Sequence, residues 1–253
     1  MNKTYSLIVV SYKSKNDIEK MIESLSKVIN KNDFEIIISD NFEKNNETVQ
    51  KSIRHGIETI HVYNNKNVGY ATGVNNVLKH CSGKYIVIVN PDITFKDDKF
   101  FEKFPNHLKD STIGAISCKL LNEDGSVQTS FRKFPKPFQL IEDFISLKLG
   151  SKKPKGHFYD NYDNITEPTI DVDWFSGGFL AVRKTEKLFD ERYFMYFEDV
   201  DLCRKLKENG KRRVVLTKCE ISHKAAYESR NIFSKTFRYH VMSMIKYFLK
   251  WGI

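Results

Sequence analysis

The sequence predicts an α/β fold with a mixed, mainly parallel central sheet flanked by helices. Four short runs of branched apolar residues recur in the first half, at 6–12, 34–41, 59–64 and 85–91. Near-continuous Ile and Val are typical of strands that are buried on both faces. The segments between these runs are long enough for crossover helices, which parallel strands require. We therefore predict the order βαβαβαβ for the first half of the chain.

The composition is that of a globular protein. Hydrophobic residues make up 40% of the 253, and aromatic residues make up 13%. The four cysteines stand far apart without a C-x-x-C pair, so their spacing predicts neither a zinc site nor a disulfide framework. No run reaches the roughly 18 apolar residues of a membrane span, so we expect any membrane contact to be peripheral.

The chain is basic, with 41 Lys and Arg against 32 Asp and Glu and a formal net charge of +9. Such an excess suits nucleic acid, phosphorylated ligands or anionic lipid, and the charge alone does not choose among them. The basic residues are spread along the whole chain, which is also typical of a solvated basic surface.

The first crossover helix is predicted to follow the first strand, with Asn16 as its N-cap. Its apolar residues recur at the spacing that places them on one helical face. They are Ile18, Met21, Ile22, Leu25 and Val28.

Small polar residues follow each of the four predicted strands. In open sheets of this kind, ligands bind beyond the carboxyl ends of the strands. The residues at these ends are Ser11, Tyr12, Asp40, Asn41, 64–67, Asn90 and Asp92. The first loop contains neither G-x-G-x-x-G nor G-x-x-x-x-G-K-[ST]. Asp40 is placed to accept hydrogen bonds from a ribose or a base edge, and it is equally typical of an Asp-Asn turn.

Asp92 stands at the mouth of the fourth strand. A carboxylate oxygen there would suit a hard divalent cation held together with substrate phosphates. An Asn-Pro-Asp turn explains the same residues equally well. Earlier in the chain, Gly69 and Gly73 flank the start of a helix predicted near Ala71. These glycines permit close approach of the backbone to an anionic ligand at the helix N-terminus, and Gly73 equally suits helix-to-sheet packing.

In the second half, the aromatic run 193–197 leads directly into Glu198, Asp199 and Asp201. We predict that this run ends where strand becomes helix, and that the helix closes at Gly210. One carboxylate would then be a general base, kept ionised by the helix N-terminus and aimed into a cleft. Acidic residues in a first turn also stabilise the helix dipole, so capping explains the same cluster.

The second half also contains apolar segments at 114–121, 170–184 and 212–223, while 122–169 is rich in Pro, Lys and Asn and predicts long loops. Trp174 precedes two glycines, in a segment that would let a sugar approach closely, although a tight bend within a strand has the same signature. A histidine that ends the last apolar run, His223, is more often a surface or core residue than a ligand.

Taken in order, several of these segments resemble the family 2 glycosyltransferases of GT-A (Rossmann-like) fold. The matching stretches are VVSYKS, IIISDN, NKNVGYATGVNN, YIVIVNPDI, DWFSGGFLAVRK, FDERYFMYFEDVDLCRKL and ISH. The resemblance covers nearly the whole chain and is greatest to the bacterial rhamnosyltransferases that build O-antigen and other surface polysaccharides. It implies one domain over 1–253, with a nucleotide-sugar-binding half (1–95), an acceptor and catalytic half (96–230) and a C-terminal amphipathic helix (231–253).

The resemblance also implies a role for each matching residue. Asp199 would be the catalytic base, supported by Glu198. Asp92 would replace the metal-binding acid of the D-x-D motif, with His223 as a further ligand and Mg²⁺ or Mn²⁺ as cofactor. The residues expected to contact the nucleotide sugar are Val10, Ser11, Tyr12, Asp40, Asn41, Asn67, Gly69, Tyr70, Gly73, Asn90 and Asp92. Those expected to contact the acceptor or the sugar are Trp174, Ser176, Gly177 and Gly178.

Two features depart from the family pattern. Asn90 occupies the first position of D-x-D, so a metal is expected to bind weakly or mainly through the diphosphate. The chain also has KLFDERYF where members often have a Gly-Gly-Phe-Asp run, so the local turn is expected to differ.

The implied reaction is an inverting transfer from a nucleotide-diphosphate sugar onto a lipid-diphosphate-linked glycan. The resemblance favours dTDP-L-rhamnose as donor, while UDP-sugars, or a nucleotidyltransferase on the same fold, are the alternatives. It implies a cytoplasmic protein that is peripheral to the inner face of the cytoplasmic membrane. A nucleic-acid-binding module would leave the NPD and FEDVD stretches unexplained, so no nucleic acid partner is expected.

The last segment, 231–253, has an amphipathic pattern in which apolar residues alternate with Lys and Arg. Its apolar residues include Phe233, Phe237, Val241, Met244, Ile245, Phe248 and Trp251. This pattern suits the surface of an anionic bilayer. It is equally typical of a helix that packs against its own domain, or against a second subunit in a homodimer.

Overall fold

A computed structural model describes residues 3–42, 55–138, 165–224 and 234–253. The strands are β1 (Tyr5–Ser11), β2 (Phe34–Asp40), β3 (Glu58–Tyr63), β4 (Tyr85–Val89), β5 (Ile93–Thr94), β6 (Ile113–Leu121), β7 (Phe131–Arg132), β8 (Thr169–Asp171), β9 (Trp174–Phe175), β10 (Phe179–Arg183) and β11 (Arg212–His223). The α-helices are α1 (Lys15–Ser26), α2 (Tyr70–Val77), α3 (Lys99–His107), α4 (Glu198–Glu208) and α5 (Lys235–Trp251).

Nine of these strands form one mixed sheet in the order β3-β2-β1-β4-β10-β6-β11-β5, with β8 paired to β11. The strands β3, β2, β1 and β4 are mutually parallel, in a register that pairs Ser11 with Asp40 and Asp40 with Tyr63. β10 runs antiparallel between β4 and β6. The predicted mixed, mainly parallel sheet is confirmed, and the polar residues that follow β1, β2 and β3 lie along one edge.

Helices cover both faces of this sheet. Successive side chains of a strand point to opposite faces, so Leu7 packs in the core cluster that contains α1 and α3, whereas Ile8 packs in the cluster that contains α2 and α4. All seven residues of β2 are buried, Glu35 and Asp40 among them. Burial on both faces explains why the central strands have near-continuous apolar runs.

The first helix starts earlier than predicted. α1 begins at Lys15, and the N–H of Ile18 already donates a hydrogen bond to the carbonyl oxygen of Ser14 at 3.0 Å. Asn16 therefore lies inside the first turn, and the prediction that it caps the helix is wrong. The predicted apolar face is confirmed, because Ile18, Met21, Ile22 and Leu25 are buried and Val28 packs against the same core.

Two apolar segments of the second half differ from their predicted form. The segment 170–184 forms β8, β9 and β10, which pair with β11, β7 and β4 respectively. The aromatic run 193–197 is not a strand, because Tyr196 and Phe197 adopt left-handed φ angles of 67° and 65° that end any extended backbone. α4 follows directly from this bend.

The C-terminal helix α5 packs on the domain with one face. Tyr247 and Ser243 are buried, and Phe248 and Trp251 contact the core. The packing alternative is therefore confirmed for this face. The opposite face exposes three apolar side chains, with exposed fractions of 53% for Met242, 49% for Ile245 and 79% for Leu249. None of the described helices is long and apolar enough to cross a membrane.

Some predictions lie outside the described residues. The second crossover helix would occupy 43–54, most of the predicted loop region occupies 139–164, and Phe233 belongs to 225–233. Within the described part of the loop region, the short strand β7 pairs with β9.

Candidate active site

The carboxylate of Asp199 lies at the N-terminus of α4. Its Oδ1 accepts a hydrogen bond from the N–H of Val200, and its Oδ2 accepts one from the N–H of Gly177, both at 2.8 Å. The side chain remains partly exposed. The left-handed Phe197 immediately before the helix sets the direction of this first turn. Asp199 is therefore held by two backbone donors while it stays accessible.

Glu198, its neighbour, has a different environment. The side chain is only 6% exposed, and its Oε2 is buried with no hydrogen-bond partner among the described residues. Burial, and then the charge of Asp199, raises the pKa of Glu198 well above its usual value. Burial also raises the pKa of Asp199, but the N–H groups of Gly177 and Val200 oppose this shift. The backbone donors thus favour the charged form at Asp199, whereas burial favours the neutral form at Glu198.

Two adjacent glycines separate this acidic pair from the polar end of β4. A Cβ on Gly177 would lie 3.3 Å from the Cβ of Asp199, and a Cβ on Gly178 would lie 3.1 Å from Nδ2 of Asn90 and 3.4 Å from Cε1 of His223. The antiparallel pairing of β10 with β4 brings these glycines beside Asn90, whose N–H donates to the carbonyl oxygen of Gly178 at 2.8 Å. Even a methyl group at either position would require its neighbours to move by a few tenths of an ångström.

The hydroxyl of Tyr70 links the Gly177–Gly178 turn to Asn90 at the end of β4. It donates to the carbonyl oxygen of Gly177 at 2.9 Å and lies 3.2 Å from Oδ1 of Asn90. Burial raises the pKa of Tyr70 well above its usual value, and the charges of Glu198, Asp199 and Asp92 add to the shift. The carboxylates of Glu198, Asp199 and Asp92 are thus close enough to act on one phenol. The structure brings these predicted site residues together.

Asp92 and His223 form the second polar centre. Oδ1 of Asp92 lies 3.2 Å from Nε2 of His223, and Nδ2 of Asn90 lies 3.3 Å from the same nitrogen. Ligands about 2.1 Å from an octahedral ion are about 3 Å apart at neighbouring positions, so Asp92 and His223 fit two such positions. The described residues contain no group of three or more His, Cys, Asp and Glu side chains able to hold a metal. Beyond Asp92 and His223, oxygen atoms of substrate or water could supply further ligands to an ion here.

Gln128 orients the imidazole of His223, and the sequence contains no signal for it. Its Nε2 donates to the carbonyl oxygen of His223 at 2.6 Å, which turns its Oε1 toward Nδ1 of the ring at 2.9 Å. Because Oε1 only accepts, Nδ1 must carry a hydrogen, and the lone pair of the neutral ring is then on Nε2. This nitrogen faces Asp92, as a metal ligand would require.

The carboxyl ends of β1 and β2 form another part of the predicted site. Ser11, Asp40 and Asn41 are buried there. Oδ1 of Asp40 accepts from the N–H of Phe42 at 2.8 Å, and Oδ2 lies 3.3 Å from Nε2 of His61. The Asp-Asn turn that the sequence offered as an alternative is therefore present.

Three residues stand out at this edge of the sheet. Tyr12 and Phe42 are 51% and 41% exposed, and their ring centroids are 5.6 Å apart. Nζ of Lys13 lies 4.7 Å from the ring centroid of Phe42. Phe42 and Lys13 were not predicted as site residues, since neither has a distinctive sequence pattern.

The glycines at the start of α2 have different roles. Gly69 has a φ of 85°, its carbonyl oxygen accepts from Nδ2 of Asn41 at 3.0 Å, and its N–H donates to Oδ1 of Asn67 at 3.0 Å. Gly73 is buried, and a Cβ there would lie 3.2 Å from Cγ1 of Val10. Gly73 therefore serves close packing of the helix on the sheet, and its contact with the nucleotide sugar stays a prediction.

Trp174 and Ser176 precede the glycine pair. Nε1 of Trp174 donates to the carbonyl oxygen of Lys133 at 2.9 Å, and the guanidinium of Arg132 lies 5.3 Å from a Trp174 ring centroid. Oγ of Ser176 accepts from the N–H of Gly178 at 3.2 Å. β7 thus supports the segment that carries the predicted acceptor residues.

Comparison with known sequences identifies the family. The profile described as glycosyl transferase family 2 matches residues 6–165. Rhamnosyltransferase WbbL of Escherichia coli (strain K12) is 31% identical over 254 residues, covering 95% of this chain and 91% of that protein. N-acetylglucosaminyl-diphospho-decaprenol L-rhamnosyltransferase of Mycobacterium tuberculosis is 25% identical over 246 residues, covering 90% and 78%. The chain belongs to the family 2 glycosyltransferases.

Solved structures share the fold. The mannosyltransferase PcManGT from Pyrobaculum calidifontis, in complex with GDP-Man and Mn²⁺, superposes with a TM-score of 0.59 at 17% identity over 90% of this chain. This chain spans 59% of that protein. TarS 1-349 of S. aureus in complex with UDP gives a TM-score of 0.57 at 17% identity, with 93% of this chain and 68% of that one covered. The predicted GT-A fold is confirmed, and the chain is similar to rhamnosyltransferases in sequence.

Proposed function

We propose that the chain is an inverting glycosyltransferase that moves L-rhamnose from dTDP-L-rhamnose onto a lipid-diphosphate-linked glycan. One observation carries this proposal: the carboxylate of Asp199 and the centre formed by Asp92 and His223 lie on either side of the turn at Gly177 and Gly178. Such a site offers a base for the acceptor beside a place for the diphosphate. The names of the two sequence relatives support the sugar, and the mycobacterial name supports a diphosphate-linked lipid acceptor.

Asp199 would act as the general base. In an inverting transfer the acceptor hydroxyl attacks the anomeric carbon from the face opposite the leaving diphosphate, so a carboxylate must take its proton. The N–H groups of Gly177 and Val200 favour the ionised form of Asp199. Burial favours the neutral form of Glu198, which would then add no second negative charge beside the attacking oxygen.

Asp92 and His223 would hold Mg²⁺ or Mn²⁺, with Asn90 beside them and Gln128 fixing the ring of His223. A bound divalent ion supplies charge neutralisation for the departing nucleoside diphosphate. The Mn²⁺ in the mannosyltransferase complex supports this choice of ion class. Since Asn90 replaces one carboxylate, much of the affinity would come from the diphosphate.

The nucleotide would occupy the carboxyl ends of β1 and β2. Tyr12 and Phe42 present exposed rings suited to contact with a base, and Lys13 adds a positive charge next to them. Ser11, Asp40 and Asn41 form the floor of this region. The segment from Asn67 to Tyr70 then leads toward Asn90 and the glycine pair.

The enzyme would work at the inner face of the cytoplasmic membrane as a peripheral protein. The acceptor we propose is anchored in lipid, and the net charge of +9 favours an anionic surface. The exposed apolar face of α5, with Met242, Ile245 and Leu249, would lie on that surface.

The test is transfer by the purified protein, with dTDP-L-rhamnose, Mn²⁺ and a lipid-diphosphate-linked glycan, followed by release of dTDP. Asp199→Asn should lower kcat by roughly 100-fold or more, the range for loss of a general base, while calorimetry shows unchanged donor binding. Asp171→Asn, in an exposed carboxylate paired with Arg212, is the matched control. A near wild-type rate for Asp199→Asn would remove this residue from its role.

The donor is tested separately by thermal shift. A ligand that binds the native state raises Tm, so dTDP-L-rhamnose with Mn²⁺ should raise it more than UDP- or GDP-sugars do. Stabilisation by UDP-sugars alone would replace dTDP-L-rhamnose as the donor.

A further inference from the structure

The third carboxylate of the acidic cluster, Asp201, has no part in the proposed reaction. It lies in the first turn of α4, two residues after Asp199, and is 2% exposed. Its Oδ1 accepts from the Tyr193 hydroxyl at 3.1 Å and from Nε1 of Trp251 at 2.9 Å. Its Oδ2 accepts from Nζ of Lys250 at 2.7 Å. Two of these three donors belong to the last turn of α5.

The same helix also holds the irregular segment 190–197 that leads into α4. Three side chains of α5 make polar contacts with it. They are Ser243 Oγ to the Met195 carbonyl oxygen, Lys246 Nζ to the Arg192 carbonyl oxygen, and Lys250 Nζ to Asp190 Oδ2, each at 2.8 Å. Contacts therefore run from one end of this segment to the other.

Two strained residues of that segment contact α5 as well. The ring centroid of His240 lies 5.3 Å from those of Tyr196 and Phe197, the two residues with left-handed φ. Phe197 also packs on Tyr247. Bulky residues rarely adopt this conformation, and it persists only where the surroundings hold it. Because Phe197 immediately precedes α4, its conformation sets where the first turn of that helix points.

We infer that α5 is part of the catalytic apparatus and that Asp201 is a positioning residue, which ties α5 to α4 so that Asp199 stays directed at the Gly177–Gly178 turn. This inference rests on the proposed role of Asp199 as base. Loss of the Asp201 contacts would let Tyr196 and Phe197 relax and the first turn of α4 rotate. A displaced base slows the chemical step without affecting residues that bind the nucleotide.

A purely structural ion pair makes a different prediction. It would lower the free energy of unfolding while the folded fraction kept its full rate. Removing only one partner of a buried pair leaves an unpaired charge, and such a variant risks failing to fold. The double variant Asp201→Asn with Lys250→Met leaves no unpaired charge at position 201, and Asp190 keeps its ion pair with Arg192. Trp251→Phe removes one donor to Asp201 while keeping an aromatic ring.

The experiment compares these two variants with the wild type well below their Tm. We expect the double variant to lower kcat about 10- to 100-fold while donor KM changes by less than about twofold. Hydrogen exchange followed by mass spectrometry should be faster over residues 193–202. Trp251→Phe should also lower kcat, but by a smaller factor than the double variant does. The matched control is Glu208→Gln, which changes an exposed carboxylate at the end of α4 that is paired with Arg204. This variant should leave kcat unchanged.

Unchanged kcat together with a lower Tm in the double variant would overturn the inference, as would unchanged exchange over 193–202. The exchange measurement does not depend on the chemistry. If Asp199→Asn retained full turnover, the proposed function would fail, whereas unchanged exchange would show that α5 does not hold the segment.

Discussion

Glu198 and Asp199 are adjacent in the chain but have opposite hydrogen bonding. Asp199 accepts two backbone N–H groups at 2.8 Å, whereas Oε2 of Glu198 is buried without a partner among the residues that the structure describes. Backbone donors favour an ionised carboxylate, and burial without donors favours a neutral one. Two adjacent carboxyl groups thus lie in environments that favour different protonation states.

This difference predicts how stability changes with pH. The folded state raises the pKa of Glu198, so above the ordinary glutamate value of 4.5 the unfolded chain releases a proton that the folded chain retains. Stability contributed by this group is therefore present at low pH and lost as pH rises toward the folded-state pKa. Glu198→Gln should remove this loss and be more stable than wild type at neutral pH.

Urea denaturation at about pH 5 and about pH 8 measures the effect. The wild type should lose more stability between these values than Glu198→Gln does. Glu186→Gln, at an exposed position, should behave like the wild type. Equal pH dependence in all three proteins would show that Glu198 is ionised in the folded state.

The contact between Gln128 and His223 predicts an effect on metal binding. Gln128→Leu removes the acceptor that holds Nδ1–H, so the ring loses its fixed orientation, and Mn²⁺ affinity should fall about 10- to 100-fold. Gln128→Glu keeps an acceptor for the ring and should lose less. Calorimetric titration of Mn²⁺ in the presence of dTDP measures both, and wild-type affinity in Gln128→Leu would exclude this role.

Gly69 and Gly210 form a matched pair for a stability test. Both have positive φ, 85° and 65°, but a Cβ on Gly69 would overlap the carbonyl oxygen of Phe194, whereas one on Gly210 would meet no atom within 4 Å. Gly210→Ala should cost about 1–2 kcal/mol from the left-handed backbone alone. Gly69→Ala should cost more. Urea denaturation compares them, and equal losses would mean that the backbone near Phe194 moves without strain.

The outer face of α5 predicts membrane binding. Ile245→Ser with Leu249→Ser removes two exposed apolar side chains, and binding to vesicles of anionic phospholipid should weaken about tenfold, because each side chain loses part of its transfer free energy. Phe138→Ser, at a residue that is 81% exposed, is the control for loss of any exposed apolar group. Sedimentation with vesicles measures binding, and equal binding of wild type and double variant would exclude α5 as the contact.

Local sequence patterns alone predict the first four strands, one helical face and the acidic pair of the candidate site. The Ile and Val runs predict the first four strands, because a strand buried on both faces needs apolar residues at every position. The apolar spacing from Ile18 to Leu25 predicts one buried helical face. The acidic pair at 198 and 199 could be singled out because few other patterns place carboxylates directly after an aromatic run. In each case the signal lies within about ten residues of chain.

Only the tertiary structure decided which side chains meet. Asn90 and His223 are 133 residues apart in sequence, and Gln128 and His223 are 95 apart, so no local pattern connects them. The same holds for Asp201, whose place in the sequence equally suits a helix cap. It binds Lys250 and Trp251 only because α5 folds back on α4. Hydrophobic periodicity indicates which face of an element is buried, but not which element covers that face, because the hydrophobic effect is non-directional. Hydrogen bonds between distant residues form only once the sheet has brought those residues together.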